Sequence, residues 1–429
     1  MQMIVERGCA LDVHLSSVVA CALVGPADQP PQRHERVFGT TYRELEALRG
    51  WLKELAVTHV AMESTGVYWK PVYAVLECDF TLLVGNAQHL KQVPGRKTDR
   101  KDAAWLSELL HHGLIRPSFV PPPEIRELRD LVHYRRSLVA AQTSERNRTL
   151  KLLEGAGLKL ASVVSNVFGV SGMAMLKALT TGDATPETIA ALAQGRLRRK
   201  RELLTAAAEQ RLGEPQRSML GVQLRRLAAV EADIADVESR ITERMERFRV
   251  QPRLLTTIPG VNELTAATII AEIGIDMTSF GSASRLAAWA GVCPGSSESA
   301  GKKKTVATRK GNPQLKAVLV NAALSAARVG GSYFKDKYHR LKVRRGAKRA
   351  AVAIAHKLLV VAFHLLSTGE PFRELGEGFL DQQARHRTTR RLIRRLNQLG
   401  YEVQIARRAE GGPSAGLPTS VAGNLVRAP

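Results

Sequence analysis

Over the first 115 residues short β-rich runs alternate with helical stripes, and the prolines at 117 and 121–123 then end that alternation. No other feature constrains the fold as much, because strands interleaved with amphipathic helices require a sheet covered by helices. Residues 7–13 (RGCALDV) and 17–24 (SVVACALV) are split by a short turn, which predicts a hairpin. A third short strand is expected over 35–38. Leu45, Leu48, Leu52 and Leu55 share one face of a helix over 42–55, and residues 58–62 form a β-run that ends at Glu63. Ser64, Thr65 and Gly66 supply turn chemistry before a helix over 67–76, followed by a strand over 80–84 and a helix over 99–111.

Beyond the prolines the pattern is helical. Leu128, Leu131, Val132, Leu138 and Val139 stripe a charged helix over 124–153. Residues 155–220 are helical but weakly patterned. Leu227, Val230, Ile234, Val237 and Ile241 recur at spacings of three and four, a short seam that suits a coiled coil or a helix packed on its own domain. Residues 252–330 are rich in Gly, Ala and Ser. Residues 347–367 form an apolar helix, read as too short and interrupted to span a membrane. Residues 384–396 hold six arginines and no acid, and the Gly/Pro/Ala/Ser-rich stretch from 409 is expected to be disordered. The layout predicted is an α/β domain at 5–153, a helical linker or coiled coil at 154–250, a mainly α domain at 251–375 and a basic, partly disordered tail at 376–429.

Lys and Arg number 63 against 40 Asp and Glu, a formal net charge of +23. An enzyme of small metabolites has little use for such an excess, whereas a polyanion does: each phosphate contact by Lys or Arg releases condensed counterions. A membrane surface is the rival partner. The N-terminal stretch lacks a signal-peptide design, and Cys9, Cys21, Cys78 and Cys293 form no CxxC pair. The cysteines read as small buried hydrophobes in a reducing compartment, so a cytoplasmic, nucleoid-associated protein without a membrane span is expected.

Four acids stand out by position. Asp12 and Glu63 each close a β-run, and Asp99 and Asp102 lie three apart at the start of a helix, on one face. Hard divalent cations such as Mg²⁺ or Mn²⁺ take oxygen ligands of this kind, and paired ions can activate an attacking oxygen and stabilise a leaving one at a phosphodiester. Each acid also has a local explanation: Asp99 and Asp102 favour a helix N-terminus, Asp12 suits a turn and Glu63 a cap.

ALDVH at 10–14, MESTGVYWKPV at 62–72 and KTDRKDA at 97–103 resemble the three signature blocks of the DEDD transposases of the insertion-sequence "one-ten" family. The resemblance implies a Holliday-junction-resolvase-like RNase H fold for the N-terminal domain, with Asp12, Glu63, Asp99 and Asp102 as catalytic metal ligands. It also implies insertion guided by a structured bridge RNA. Ala10, Leu11 and Leu15 stand where the first block more often has Gly, Ile and Lys. His14 reads as a packing residue or a phosphate contact. Lys97, Arg100 and Lys101 flank the acid pair as nucleic-acid contacts.

A Ser/Gly/Lys loop follows at 287–316, with Ser296, Ser297 and Ser299 ahead of Lys302, Lys303, Lys304, Arg309 and Lys310. Read from its residues alone, such a stretch is a solvated loop or a nucleophile flanked by phosphate-binding cations. Residues 286–315 resemble the C-terminal domain of the same family in the A-G-x-x-P, E-S-x-G and G-N-x-x-L blocks. That implies a catalytic serine at Ser299, covalently linked to DNA during strand transfer, although Ala300 replaces a frequent Gly and the sequence leaves Ser296 and Ser297 in play. Upstream, TIPGVNELTAATIIAEIG at 257–274 resembles a helix-hairpin-helix, whose turn exposes N–H groups to phosphate.

The reading is therefore a DNA transposase or recombinase that binds element and target DNA and a guide RNA, acting as a homo-dimer or tetramer. The alternative is a structure-specific, junction-resolving metal nuclease that uses the four acids alone, and a third is a nucleic-acid scaffold whose acids are structural.

Overall fold

The computed structural model describes residues 4–26, 29–64, 66–86, 102–295, 298–299, 302–303, 307–383 and 385–403. The chain divides into two compact units, Met1–Val230 and Glu231–Pro429.

In the first unit, β1 (Arg7–Val13) and β2 (Ser17–Val24) form the expected hairpin, with Asp12 opposite Val19. β3 (Gln32–Gly39) pairs along all of β2 and is longer than the strand expected over 35–38. Its first residues, QRHER, are polar and mostly exposed, as suits an edge strand, and this hides them from a hydrophobic pattern. β4 (His59–Glu63) runs parallel to β1, and β5 (Thr81–Gly85) parallel to β4. The order is β3-β2-β1-β4-β5, with β2 antiparallel to its neighbours.

Helices cover both faces. On one, α1 (Tyr42–Glu54) and α2 (Trp69–Leu76) bring Leu45, Leu48, Leu52, Val72 and Leu76 against Cys9, Leu11, Val18, Val60 and Met62. On the other, Leu106, Leu109 and Leu110 of α3 (Asp102–His111) pack with Val5, Ala10 and Ala61, while Ala103 and Ala104 pack against Cys21. Ser107 is buried between these contacts. Its Oγ accepts from the Ala10 N–H at 2.9 Å and its hydroxyl donates to the Cys21 carbonyl, so one side chain joins α3 to the backbones of β1 and β2. Cys9 and Cys21 are the buried small hydrophobes expected, and burial raises both thiol pKa values. Cys78, by contrast, is exposed.

α4 (Pro123–Gly155) opens with its proline at the first helical position, where the missing N–H costs nothing. Near its end Glu145 is buried and accepts from Arg148 at 2.6 Å and Arg226 at 3.0 Å. Residues 155–220, helical but weakly patterned in the sequence, build a core together with the end of α4. Leu153, Leu160, Met175, Leu176, Leu179, Ile189, Leu204 and Leu220 meet there from α4, α5 (Leu160–Val163), α6 (Val170–Thr181), α7 (Pro186–Ala191), α8 (Arg201–Ala207) and α9 (Glu214–Met245). Each helix adds one to three residues to that core, so no single period marks it. On α9, Leu227, Val237 and Ile241 of the predicted seam are buried and Val230 and Ile234 half-buried.

The second unit is mainly helical. Its central helix is α15 (Ala347–Thr368), which buries Ala350, Ile354, Leu358, Leu359 and Leu365. The sequence reading of 347–367 as too short to span a membrane is corrected: among the described residues α15 is one helix long and apolar enough to do so. It packs against α10 (Gln251–Thr256), α12 (Ala283–Trp289), α13 (Pro313–Ala326) and α14 (Tyr333–Arg345), as the core helix of a folded unit does.

Two outcomes follow. Ser107→Ala strips two buried backbone groups of their partner, at about 1–3 kcal/mol each, so its urea midpoint should fall well below that of wild type. Burial, reinforced by neighbouring His112, lowers the His111 pKa. The unfolded chain then binds a proton that the folded chain resists, so this contribution is intact above the ordinary histidine pKa of about 6.5 and is lost as pH falls through it. Thermal melts at pH 7.5 and 5.5 should show a drop in midpoint that shrinks in His111→Phe.

Candidate functional site

The acids at the strand ends are set by register. Leu11 lies opposite Met62 across the parallel β1–β4 pair, so the next residues, Asp12 and Glu63, follow side by side. Side chains alternate along strands. Leu11 and Met62 enter the core under α1 and α2, while Ala10 and Ala61 lie against α3. Asp12 and Glu63 therefore project on the α3 face, both half-buried.

The direction of α3 brings in a third acid. At its C-terminal end the His111 carbonyl accepts from the N–H groups of Ile4 and Val5 at 2.9 and 3.2 Å, just before β1 begins. At its N-terminal end Ala103 and Ala104 pack beside Val19, the partner of Asp12. α3 thus runs back along β1, and Asp102 in its first turn stands at the end of the sheet that carries Asp12 and Glu63. Its carboxylate also complements the positive end of the helix dipole.

Three of the four predicted acids thus share one end of one sheet face. Asp99 lies outside the described residues, as do Lys97, Arg100 and Lys101. Among the described residues no three His, Cys, Asp or Glu side chains are grouped closely enough to hold a metal ion. In kind the donors fit Mg²⁺ or Mn²⁺, being carboxylates alone. His14, read as a packing residue or a phosphate contact, sits with Nε2 3.1 Å from Asp12 Oδ2. It orients the carboxylate from the solvent side.

In the second unit the serine segment is a β-hairpin. Pro294 bridges Thr308 near its base, where the Gly295 N–H donates to the Ala307 carbonyl at 3.0 Å. Further out, β6 (Glu298–Ser299) pairs with β7 (Lys302–Lys303), Ser299 opposite Lys302. Arg309 and Lys310 are exposed on the returning arm, whereas Ser296, Ser297 and Lys304 lie outside the described residues. Burial raises the pKa of Cys293 at the base, which keeps it a thiol.

Two devices fix the base of this hairpin. Gly291 and Gly311 cross in contact: a Cβ on Gly311 would sit 2.4 Å from the Gly291 nitrogen. Asn312 caps α13 through Oδ1, accepting from Gln314 and Leu315 N–H at 3.0 Å each, and its Nδ2 donates to Glu272 Oε2 at 2.6 Å. Glu272 is buried on α11 (Glu263–Ile273). Sequence reasoning passed over it, although an acid inside the run TAATIIAEI was the available signal. The helix-hairpin-helix-like turn is packed against α13. Gly260 has φ +83° and its Cβ position lies 2.4 Å from the Ala322 carbonyl oxygen, so its glycine is required by packing against α13.

Known proteins resemble the chain in two blocks. A transposase family model of the DEDD, IS110 type matches residues 9–157, and the model of the transposase IS116/IS110/IS902 family matches 252–339, together more than half of the chain. The uncharacterized 42 kDa protein of insertion element IS900 from Mycobacterium paratuberculosis is 28% identical over 50% of this chain and 60% of its own length. The transposase for insertion sequence element IS1111A from Coxiella burnetii is 26% identical over 74% of this chain and 80% of its own. A putative transposase, y4pF/y4sB, from Sinorhizobium fredii is 34% identical over 28% of this chain and 32% of its own. Against the first of these relatives the match thus spans less than two thirds of the relative's length.

The glycine crossing is open to test. Gly311→Ala drives a methyl into backbone, an overpacking that costs about 1–3 kcal/mol, and the thermal midpoint should fall accordingly. Gly330→Ala, where nothing lies within 4 Å of the added carbon, should leave the midpoint within error of wild type.

Proposed function

Because the chain belongs to the IS110 family of transposases, we propose that it is a DNA transposase or recombinase that excises and inserts an insertion sequence by phosphodiester strand transfer. The observation that supports this most is the β1–β4 register, which sets Asp12 and Glu63 side by side on the face that α3 crosses. The mixed sheet with helices on both faces is compatible with an RNase H-like domain.

In this reading Asp12, Glu63, Asp99 and Asp102 hold a divalent metal, Mg²⁺ or Mn²⁺. When bound, it supplies positive charge to a scissile phosphodiester and polarises its oxygens. The chain's own residues do the rest. Lys97, Arg100 and Lys101 precede α3 and hold backbone phosphates beside the acids. His14 keeps the Asp12 carboxylate in orientation.

Ser299 is the nucleophile. Its Oγ forms a bond to phosphorus as the P–O bond to the departing strand breaks, and the serine proton passes by way of a base to the departing oxygen, which leaves as a hydroxyl. The phosphoserine link keeps the phosphodiester bond for the reverse attack by a new strand end, so rejoining needs no external energy source. Lys302, Lys303, Lys304, Arg309 and Lys310 neutralise charge on that phosphate. A structured guide RNA delegates target choice to base pairing, as in other RNA-guided systems. The working species is a homo-dimer or tetramer.

The test is a trap for covalent adducts. Protein, Mg²⁺, co-purifying RNA and element-end DNA are incubated and run on a denaturing gel beside Ser299→Ala and Asp102→Ala. An adduct in wild type that is absent from both variants is the expected result. Cleavage without an adduct, unchanged in Ser299→Ala, would sink the serine mechanism and leave a junction-resolving metal nuclease.

A further inference from the structure

The helical layer at 153–220 holds an open cleft of about 560 Å³ that the strand-transfer reading does not use. Its two walls come from different parts of the chain. One is the loop Asn166–Gly169 with the first turn of α6, and the other is the 3₁₀ turn over Gly195–Lys200. Residues 196–201, RLRRKR, carry five cations in six positions, and Arg196 and Lys200 line the cleft. Among the described residues no acidic side chain lines it.

The walls are tied together, and one of the ties positions Lys200. The Gln194 N–H donates to Ser171 Oγ at 3.0 Å, and Lys200 Nζ donates to the Val163 carbonyl at 3.3 Å. Opposite them α6 begins at Gly169 with no side-chain cap, leaving its first-turn N–H groups without an intrahelical acceptor. Glycine is required at Gly172, where a Cβ would lie 2.1 Å from the Val167 carbonyl oxygen. The loop is thereby folded tightly against the start of the helix. Cations on one wall and outward N–H groups with a positive dipole end on the other define an anion site.

We propose that this cleft binds a backbone phosphate of a nucleic-acid strand, as a second nucleic-acid contact apart from the acid face. The open shape and the linear run of five cations suit a polymer of phosphodiesters better than a lone anion. The inference takes from the proposed function only that the partner is a nucleic acid.

The test uses the full chain and a labelled single strand, as DNA and as RNA of one sequence, read by fluorescence anisotropy over a salt series. Val170 is 74% exposed at the first position of α6, so Val170→Glu leaves the fold intact, since an acid there favours the helix, while placing a carboxylate at the cleft. Tyr42→Glu makes the same charge change at the first position of α1, where Tyr42 is 72% exposed. Val170→Glu and the double variant Arg196→Ala/Lys200→Ala should each weaken binding by about tenfold. The double variant should also reduce the salt slope by about one to two. Tyr42→Glu should bind as wild type does. The strand, DNA or RNA, whose affinity falls identifies the ligand, and an equal fall for both means a site blind to the sugar. Equal binding by Val170→Glu and Tyr42→Glu would overturn the proposal even if the covalent adduct forms, and a wild type that binds neither strand would overturn it together with the nucleic-acid reading.

Discussion

The placing of the acids in the first unit depends on register. Strand side chains alternate with period two, so a slip of one residue between β1 and β4 would send Asp12 and Glu63 to opposite faces. The Leu11–Met62 pairing prevents this, because both side chains are committed to the core under α1 and α2. Ala10 and Ala61 then let α3 approach the other face, and Ser107 pins it by bonding the backbones of both β1 and β2. Asp102 reaches the acids' end of the sheet because the helix that bears it is fixed in direction.

In the second unit the hairpin that carries Ser299 is fixed at its base. Its base is held by backbone-to-backbone contact at Gly291 and Gly311 and by Asn312, whose amide serves a helix cap and the buried Glu272 carboxylate at once. A buried polar group is tolerated when it is hydrogen-bonded, and here that bond links α11 to the start of α13. The same economy recurs at Glu145 in the first unit, where two arginines neutralise one buried acid.

Much of the acid face was legible in the sequence because it follows from local patterns. Two β-rich runs gave the β1–β2 hairpin, and acids closing β-runs beside an acid at a helix start gave Asp12, Glu63 and Asp102. The shared face needed the parallel pairing of β1 with β4, which joins residues 51 apart in the chain, from Cys9–Val60 to Leu11–Met62, and so leaves no local signal. β3 was shortened in the reading because its polar residues carry no hydrophobic alternation. The core at 153–220 was invisible for another reason: its apolar residues come one to three at a time from successive helices, with breaks at Gly157, Gly169 and Gly182. Ser107 and Glu272 look like ordinary helix residues until the neighbouring strands and helices are in place.

The claim at the centre of this account is that the acid face at the ends of β1 and β4 takes a divalent ion. Ion binding to the folded state alone raises the melting midpoint by mass action, so a Mn²⁺ titration followed by thermal melting tests it directly. The account predicts that the midpoint of wild type climbs with Mn²⁺ and that Asp12→Asn and Glu63→Gln each abolish the climb. An equal climb in wild type and both variants, or none in wild type, would contradict it.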